Sequence, residues 1–149
     1  MNDQIKFLTA EQVLPLRAQV LRPGQPVTKA VMLQDGDATT FHLGLFSGDE
    51  IVCVATFHED KKVNLASRIP YRLRGMATAS HYQGRGAGKQ ILQAGVQELM
   101  KRNCDLVWCH AREKAFNFYE KCGFAFLGEM FDIPEIGPHK VMYKFLGKS

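Results

Sequence analysis

The sequence predicts an α/β domain in which helices cover both faces of a mixed β-sheet. Two apolar segments joined by a short polar turn indicate an antiparallel hairpin. A further apolar strand leads through a glycine-rich turn into an amphipathic helix and another strand, which is the order of a βαβ unit. The chain has 149 residues, of which 46% are hydrophobic, so a single domain over residues 1–149 can bury a core without disulfide bonds.

The first predicted elements are a short strand and a helix. Ile5–Leu8 is suited to a strand, and Thr9 then offers an N-cap whose capping box is completed by Gln12. Apolar residues at helical spacing continue to about Leu21. Because Pro15 lies within this stretch and lacks a backbone N–H, the helix is predicted to kink or restart there.

Three strands are predicted after the helix. The loop Arg22–Pro26, with two prolines and a glycine, separates the helix from them. Phe41–Phe46 alternates apolar and other residues, and Ile51–Phe57 is rich in β-branched residues. With the turn Ser47–Glu50 between them, these two segments predict a hairpin. The third strand is predicted at about Tyr71–Ala79 and leads into the glycine-rich turn.

The strand before the glycine-rich turn and the strand after the next helix are predicted to be parallel. Apolar residues recur at helical spacing over Gly86–Arg102, and Asn103 is suited to a left-handed helix end. The short apolar segment Leu106–Cys109 follows. A strand–helix–strand route of this kind is a crossover between parallel strands.

The C-terminal part predicts one helix and two closing strands. The helix spans about Arg112–Cys122, and Gly123 is suited to the left-handed residue after its end. The two strands are predicted at about Ala125–Asp132 and Lys140–Leu146, with a loop at Ile133–Pro138 between them.

The glycine-rich segment Tyr82–Lys89 has the composition of an anion-binding turn. Gly84, Gly86 and Gly88 allow the backbone to approach a ligand closely. Unpaired amides and the dipole at the start of the next helix favour negative charge there. The spacing fits neither a Walker loop, since Gly-Lys is followed by Gln90, nor Gly-x-Gly-x-x-Gly. On spacing alone, a turn that binds nothing is equally compatible with the segment.

Composition disfavours several functional classes. The net charge is +4 without a long basic run, so nucleic-acid binding is not expected. No apolar stretch approaches the roughly 20 residues that span a bilayer, and no signal peptide is indicated. The cysteines have spacings unlike those of zinc or redox sites and are predicted to be small buried residues: Cys53, Cys104, Cys109 and Cys122. These features predict a cytoplasmic protein with no metal site and no membrane or nucleic-acid partner.

Two segments resemble the motifs of a known family. Gln83–Gly88 reads Gln-x-x-Gly-x-Gly and is similar to the pyrophosphate-binding motif of the GNAT N-acetyltransferase superfamily. Ala115–Phe124 resembles the family pattern Ala-x-x-x-Tyr-Glu-Lys-x-Gly-Phe, with Tyr119 at the tyrosine. The predicted order of elements from Ile5 to Leu146 also resembles the GNAT fold. One departure is Arg112, seven residues before the tyrosine, where the family often has asparagine.

The resemblance implies a mainly antiparallel sheet whose central parallel pair splays apart for acetyl-CoA, the cosubstrate. It implies an acyltransferase that moves the acetyl group directly to a primary amine of a small molecule or peptide. Tyr119 would be the general acid toward the departing thiolate and would also contact the cofactor. The other cofactor-binding residues that the resemblance implies are Met76, Ala77, Thr78, Gln83, Gly84, Arg85, Gly86, Ala87, Gly88, Lys89 and Arg112.

The general base is less clearly indicated. His110 follows the strand that borders the predicted splay and can titrate near neutrality, so it is the first candidate. A chain of water molecules could take the proton instead. Five titratable side chains elsewhere in the sequence are also candidates: Glu113, His81, His58, Glu59 and His42.

The acceptor pocket of the family is walled by two regions that correspond here to Arg17–Pro26 and Ile133–His139. The polar candidates in these regions are Arg17, Arg22, Gln25, Glu135 and His139. They carry both signs of charge, so the sequence indicates neither an acidic nor a cationic acceptor.

Two other functional classes stay open. One is a non-catalytic CoA-binding domain with a regulatory or interaction role, since the asparagine is replaced and the base is unassigned. The other is an interaction module that uses the basic residues Arg85 and Lys89 of the turn. Many GNAT proteins pair through sheet or helix edges, which makes a homodimer the family expectation.

Overall fold

The computed structural model describes residues 3–147; the predicted domain limits at residues 1 and 149 lie outside the described residues. The strands are β1 (Asp3–Leu8), β2 (Phe41–Ser47), β3 (Glu50–Glu59), β4 (Pro70–Thr78), β5 (Leu106–Arg112), β6 (Ala125–Ile133) and β7 (Gly137–Phe145). The helices are α1 (Ala10–Leu21), α2 (Ala87–Lys101) and α3 (Phe116–Lys121), with 3₁₀ turns at Val27–Ala30, Ser80–Tyr82 and Glu113–Ala115.

The seven strands form one mixed sheet in the order β1-β2-β3-β4-β5-β7-β6. Neighbouring strands are antiparallel except β4 and β5, which are parallel. Helix α1 packs on one face of the sheet, and α2 and α3 pack on the other. The predicted α/β fold, with a central parallel pair and helices on both faces, is therefore confirmed. In the stretch from residue 3 to residue 147, every helix is too short or too polar to cross a membrane.

Helix α1 begins where the sequence predicts and continues past its proline. The Thr9 N–H donates to Gln12 Oε1 at 2.8 Å, and the Gln12 N–H donates to Thr9 Oγ1 at 3.2 Å, which is the predicted capping box. The predicted restart at Pro15 is wrong, because one helix runs through Leu21. Pro15 lies on the exposed side, so water can reach the carbonyl that the proline leaves without a donor.

The predicted hairpin of β2 and β3 is confirmed. The pairing runs from Phe41 opposite Phe57 to Ser47 opposite Glu50, with Gly48 and Asp49 in the turn. Gly48 has a φ of +62°, which favours glycine in this tight connection.

Strands β4 and β5 pair over only three positions and then separate. The last pair joins Arg72 to Trp108, although β4 continues to Thr78 and β5 to Arg112. A bulge in β4 at Gly75, which has a φ of +63°, shifts the register of β4 against β3 just beyond this point. The predicted splay of the central pair is thus present, and it opens the sheet toward the glycine-rich turn.

The C-terminal helix is shorter than predicted. Residues up to Arg112 extend β5 instead, because this strand pairs with β7 along its whole length, and the helical turns begin only at Glu113. The helix end is as predicted: Gly123 has a φ of +92°, and the Phe124 N–H donates to the Tyr119 carbonyl at 3.0 Å. This closing contact fixes the position of Tyr119 on the short helix.

Three of the four cysteines are buried in the core, as predicted. Cys53, Cys104 and Cys109 are buried, whereas Cys122 is only half-buried, which corrects the prediction for that residue. Burial raises the pKa of the Cys104 thiol to about 11 and that of the Cys109 thiol to about 12. These thiols stay protonated near neutral pH and are poor nucleophiles.

Candidate active site

A cavity of about 1090 Å³ occupies the gap between the diverging ends of β4 and β5. Its walls come from both faces of the sheet. Helix α1 and residues 29–34 line one side, and α3 lines the other. The turn between β6 and β7 contributes Ile133 and Ile136. The cavity therefore joins the two regions that the sequence predicts for the donor and the acceptor.

The glycine-rich turn forms an open cradle at the start of α2. Gly84 and Gly86 both have a φ of +79°, and Gly86 is the N-cap of the helix. The first helical hydrogen bond runs from Gln90 N–H to the Gly86 carbonyl at 3.0 Å, so the amides of Ala87, Gly88 and Lys89 lie before it. A Cβ added at Gly84 or Gly86 would meet no atom within 4 Å, so the turn has room for a ligand.

A second cavity of about 350 Å³ covers this cradle and adjoins the first. Met76, Thr78, Gln83 and Gly84 line both cavities. Gly86, Ala87, Gly88 and Lys89 line the second cavity. One ligand can therefore place an anionic group over the amides at the start of α2 and an extended tail in the gap between β4 and β5. The Arg85 guanidinium lies over the Tyr82 ring, 5.0 Å from its centroid, and lines neither cavity.

The end of β4 offers a free backbone edge to the gap. Ala77 pairs with Val54 and Thr78 pairs with Cys53, both on β3. On the opposite side, β4 has no strand partner beyond Arg72 within residues 3–147. An extended chain can hydrogen-bond to such an edge as an added strand would.

Tyr119 lies on α3 where the cavity passes through the sheet. The side chain is almost fully buried, and its ring packs against Phe118 and Phe124 with centroids 5.0 and 5.3 Å away. Burial, together with the neighbouring Cys109 thiol, raises the pKa of Tyr119 well above its usual value. The phenol therefore stays protonated near neutral pH, so it can donate a proton but cannot act as a base, and the raised pKa makes it a weaker acid than an ordinary tyrosine.

The surroundings of His110 disfavour its predicted role as general base. Arg72 Nη2 donates to His110 Nδ1 at 3.0 Å, so the imidazole lone pair is already engaged. Burial, with the nearby Arg72 charge, lowers the pKa of His110 to about 4. A group this weakly basic gives little driving force for removing a proton from an amine.

The five further candidate bases are not among the residues that line either cavity. His42 is buried, with Nδ1 2.8 Å from Thr56 Oγ1 and Nε2 3.0 Å from the Asp35 carbonyl oxygen. His81 is exposed and pairs with Glu50. The remaining three candidates also lie outside the set of cavity-lining residues: His58, Glu59 and Glu113.

Arg17, a predicted acceptor-side candidate, lines the cavity, but other groups of the protein already hold its guanidinium. Its guanidinium donates to both carboxylate oxygens of Asp35, at 2.8 and 3.0 Å, and to Thr56 Oγ1 at 2.7 Å. A further bond reaches the Ala30 carbonyl at 2.9 Å. The Asp35 pKa is lowered because the bonds from Arg17 and from the Met32 amide outweigh the opposing effect of burial. Arg17 thus holds the segment 30–35 against β3 as one wall of the cavity.

The remaining acceptor-side candidates divide into two groups. Arg22 and His139 line the cavity, and His139 Nδ1 donates to the Gly137 carbonyl at 2.8 Å. Gln25 and Glu135 do not belong to the lining. Arg112, predicted to bind the cofactor, does line the cavity at the end of β5.

Two arginines on β4 line the cavity although the sequence analysis did not predict them as site residues. Arg72 and Arg74 line the cavity side by side on the face that α1 covers. The sequence does contain a signal, because Tyr71-Arg72-Leu73-Arg74 places two charges on one face of a strand whose other face is apolar.

Comparisons with known proteins show similarity both in sequence and in fold. A profile of the Acetyltransferase (GNAT) family matches residues 9–124. The chain is 36% identical over 146 residues to YitI, an uncharacterized N-acetyltransferase of Bacillus subtilis (strain 168), with 98% of each chain covered. A protein from Lactobacillus plantarum superposes with a TM-score of 0.78 at 22% identity, covering 98% of this chain and 99% of that one. An aminoglycoside 6′-N-acetyltransferase in complex with coenzyme A superposes with a TM-score of 0.77 at 13% identity, covering 98% and 99%.

Proposed function

The chain belongs to the GNAT family and is an N-acetyltransferase; from this premise we propose that acetyl-CoA is its donor and a primary amine of a small molecule or peptide its acceptor. The observation that carries the proposal is the open cradle at the start of α2, which adjoins the gap between β4 and β5. A phosphate-bearing ligand with an extended tail fits this combination.

The pyrophosphate of the donor is proposed to bind at the glycine-rich turn. The amides of Ala87, Gly88 and Lys89 supply donors, and the helix dipole adds partial positive charge. The backbone of Met76, Ala77 and Thr78 offers its free edge to the pantetheine arm. Both contacts use backbone groups, so they require the shape of the turn and of the strand more than particular side chains.

Tyr119 is proposed to donate its proton to the departing thiolate. Acetyl-CoA supplies an acetyl group activated as a thioester: a C–N bond to the amine forms, the C–S bond breaks, and the thiolate sulfur is left. The phenol lines the cavity and stays protonated, so it can supply the proton that this sulfur takes up. Direct transfer is favoured over a cysteine-bound intermediate because the nearby Cys109 thiol has a pKa of about 12.

The proton of the acceptor amine is proposed to leave through water. The engaged lone pair and low pKa of His110 make it a weak base. Water is too weak a base to deprotonate an ammonium group, so the amine must reach the site in its neutral form. Turnover is therefore expected to rise with pH, as a larger fraction of the amine becomes neutral.

We expect Tyr119→Phe to reduce turnover by roughly 10²-fold or more, the range for loss of a general acid. The ring and its packing against Phe118 and Phe124 are retained, so acetyl-CoA affinity is expected to change little. A thiol-release assay gives turnover, and calorimetry gives affinity. Tyr143→Phe, which removes a hydroxyl outside the cavity lining, is the matched control. Full turnover in Tyr119→Phe would remove Tyr119 from the acid role.

A further inference from the structure

The acceptor side of the cavity is lined by cationic residues without acidic ones. Seven lysine and arginine side chains line the cavity as a whole, and five of them lie on this side, on β4 or on the segment from α1 to residue 34. Among the residues from 3 to 147 that line the cavity, none is aspartate or glutamate. One of the seven, Arg17, is neutralised by its bidentate pair with Asp35. The remaining charges make this wall electropositive, which favours an anionic group on a ligand.

Arg72 and Arg74 are half-buried, and within residues 3–147 neither has a close carboxylate partner. Arg72 Nη1 is 3.9 Å from Asp60 Oδ2, the outer limit for an ion pair, and its buried Nε has no hydrogen-bond partner among the described residues. Its guanidinium otherwise contacts His110 Nδ1 and the Trp108 ring. Arg74 Nη1 donates to the amide oxygen of Gln34, at 3.2 Å.

Keeping these two guanidinium groups together is electrostatically unfavourable without an anion. Burial and the Arg74 charge lower the pKa of Arg72 to about 10. Burial, with the Arg17 charge, also lowers the pKa of Arg74. A carboxylate placed between them would offset the desolvation and the repulsion, because it can accept two parallel N–H bonds from a guanidinium.

The position of the pair separates it from the site proposed for the donor phosphates. Arg72 and Arg74 are two residues apart on the face of β4 that α1 covers, about 7 Å along the strand. Arg74 precedes Thr78, the end of β4, by four residues, or at most about 13 Å, since the bulge at Gly75 shortens the span. The glycine-rich turn lies beyond that end, so these arginines are placed to bind the acceptor and not the pyrophosphate.

We propose that the acceptor is a small amine that also carries a carboxylate, and that Arg72 and Arg74 bind this carboxylate on the α1 side of the cavity. The inference rests on the proposed function, since it names the substrate class of the same reaction. With the carboxylate held on β4, the amine of such a molecule extends toward the gap where the acetyl group is presented.

The experiment compares amines with and without this charge, and each rate is referred to the fraction of neutral amine, because converting the carboxylate to a carboxamide also makes the amine less basic. Amino acids and β-alanine are assayed beside their carboxamides, with acetyl-CoA as the donor. We expect kcat/KM to be at least about tenfold higher for the carboxylates, as one charge-assisted contact supplies. In Arg74→Gln the ratio of kcat/KM for the carboxylate to that for the carboxamide is expected to fall toward one, mainly because KM for the carboxylate rises. Arg72→Gln is expected to lower the same ratio.

Controls separate recognition from folding. Arg68→Gln, at an exposed arginine outside the cavity lining, is expected to keep the preference of the wild type. Arg74→Lys should restore part of it, and the Tm and acetyl-CoA affinity of Arg74→Gln should stay near those of the wild type. Calorimetry with succinate, which carries no amine, should detect binding to the wild type and weaker binding to Arg74→Gln.

The outcomes distinguish the two proposals. Equal activity on acids and amides, or an unchanged preference for acids in both glutamine variants, would overturn the carboxylate inference. Acetylation of either amine would still support the proposed N-acetyltransferase function. A folded protein that neither binds acetyl-CoA nor acetylates any amine would overturn the proposed function, and the inference with it.

Discussion

Gly86→Glu is expected to abolish acetyl-CoA binding while the protein stays folded. Gly86 has a φ of +79° and caps the helix whose free amides form the anion cradle. A Cβ there meets no atom within 4 Å, so the side chain can be accommodated at the cost of about 1–2 kcal/mol for a left-handed residue. The new carboxylate would occupy the positive end of α2 and repel the pyrophosphate.

Calorimetric titration is the measurement, and a loss of at least about 100-fold in affinity, or roughly 2.7 kcal/mol, is expected. Gly48→Glu is a matched control, because Gly48 also has a positive φ of +62° with open space around it, but lies in the hairpin turn away from the cavities. Gly86→Ala separates the backbone strain from the added charge and should lose less affinity. Wild-type affinity in Gly86→Glu would contradict the placement of the pyrophosphate.

Arg17→Met is expected to lower the free energy of unfolding by about 3–5 kcal/mol, the usual effect of breaking a buried ion pair by removing one partner. The side chains of Arg17 and Asp35 are only 1% and 8% exposed. Without the guanidinium, the Asp35 carboxylate and the Ala30 carbonyl lose their donors inside the protein. Urea denaturation followed by circular dichroism measures the change.

Two further variants test this assignment. The double variant Arg17→Met with Asp35→Leu should recover part of the lost stability, because no unpaired charge remains. Arg22→Met, near the end of the same helix, should change stability by less than about 0.5–1 kcal/mol, since the hydrogen bond that its guanidinium donates goes to the adjacent Leu21 carbonyl. A loss below about 1 kcal/mol in Arg17→Met would show that the pair does not hold the cavity wall.

Local sequence signals predicted the elements that depend on neighbouring residues. The capping box of Thr9 and Gln12, the left-handed helix ends at Asn103 and Gly123, and the crossover through α2 all appear in the structure. Each depends on residues within a few positions of one another, so the pattern is visible in the sequence.

The predictions that the structure did not support concern residues whose contacts are with partners far away in the sequence. Arg112 belongs to β5 because it pairs with His139 on β7, and this pairing overrides the helical pattern of its own segment. His110 titrates readily as an isolated residue, but Arg72, 38 positions away, engages its lone pair. Arg17 pairs with Asp35 across the loop that follows α1. No local pattern in the sequence specifies such contacts.

Titration of purified, ligand-free protein with acetyl-CoA tests the central claim most directly, with dephospho-CoA and ATP as comparisons. Binding with a Kd of about 1–100 μM is predicted, equivalent to roughly 5–8 kcal/mol. Dephospho-CoA should bind in a similar range, because it keeps the pyrophosphate and the pantetheine arm, and ATP, which lacks the arm, should bind much more weakly. A folded protein that does not bind acetyl-CoA would contradict the account.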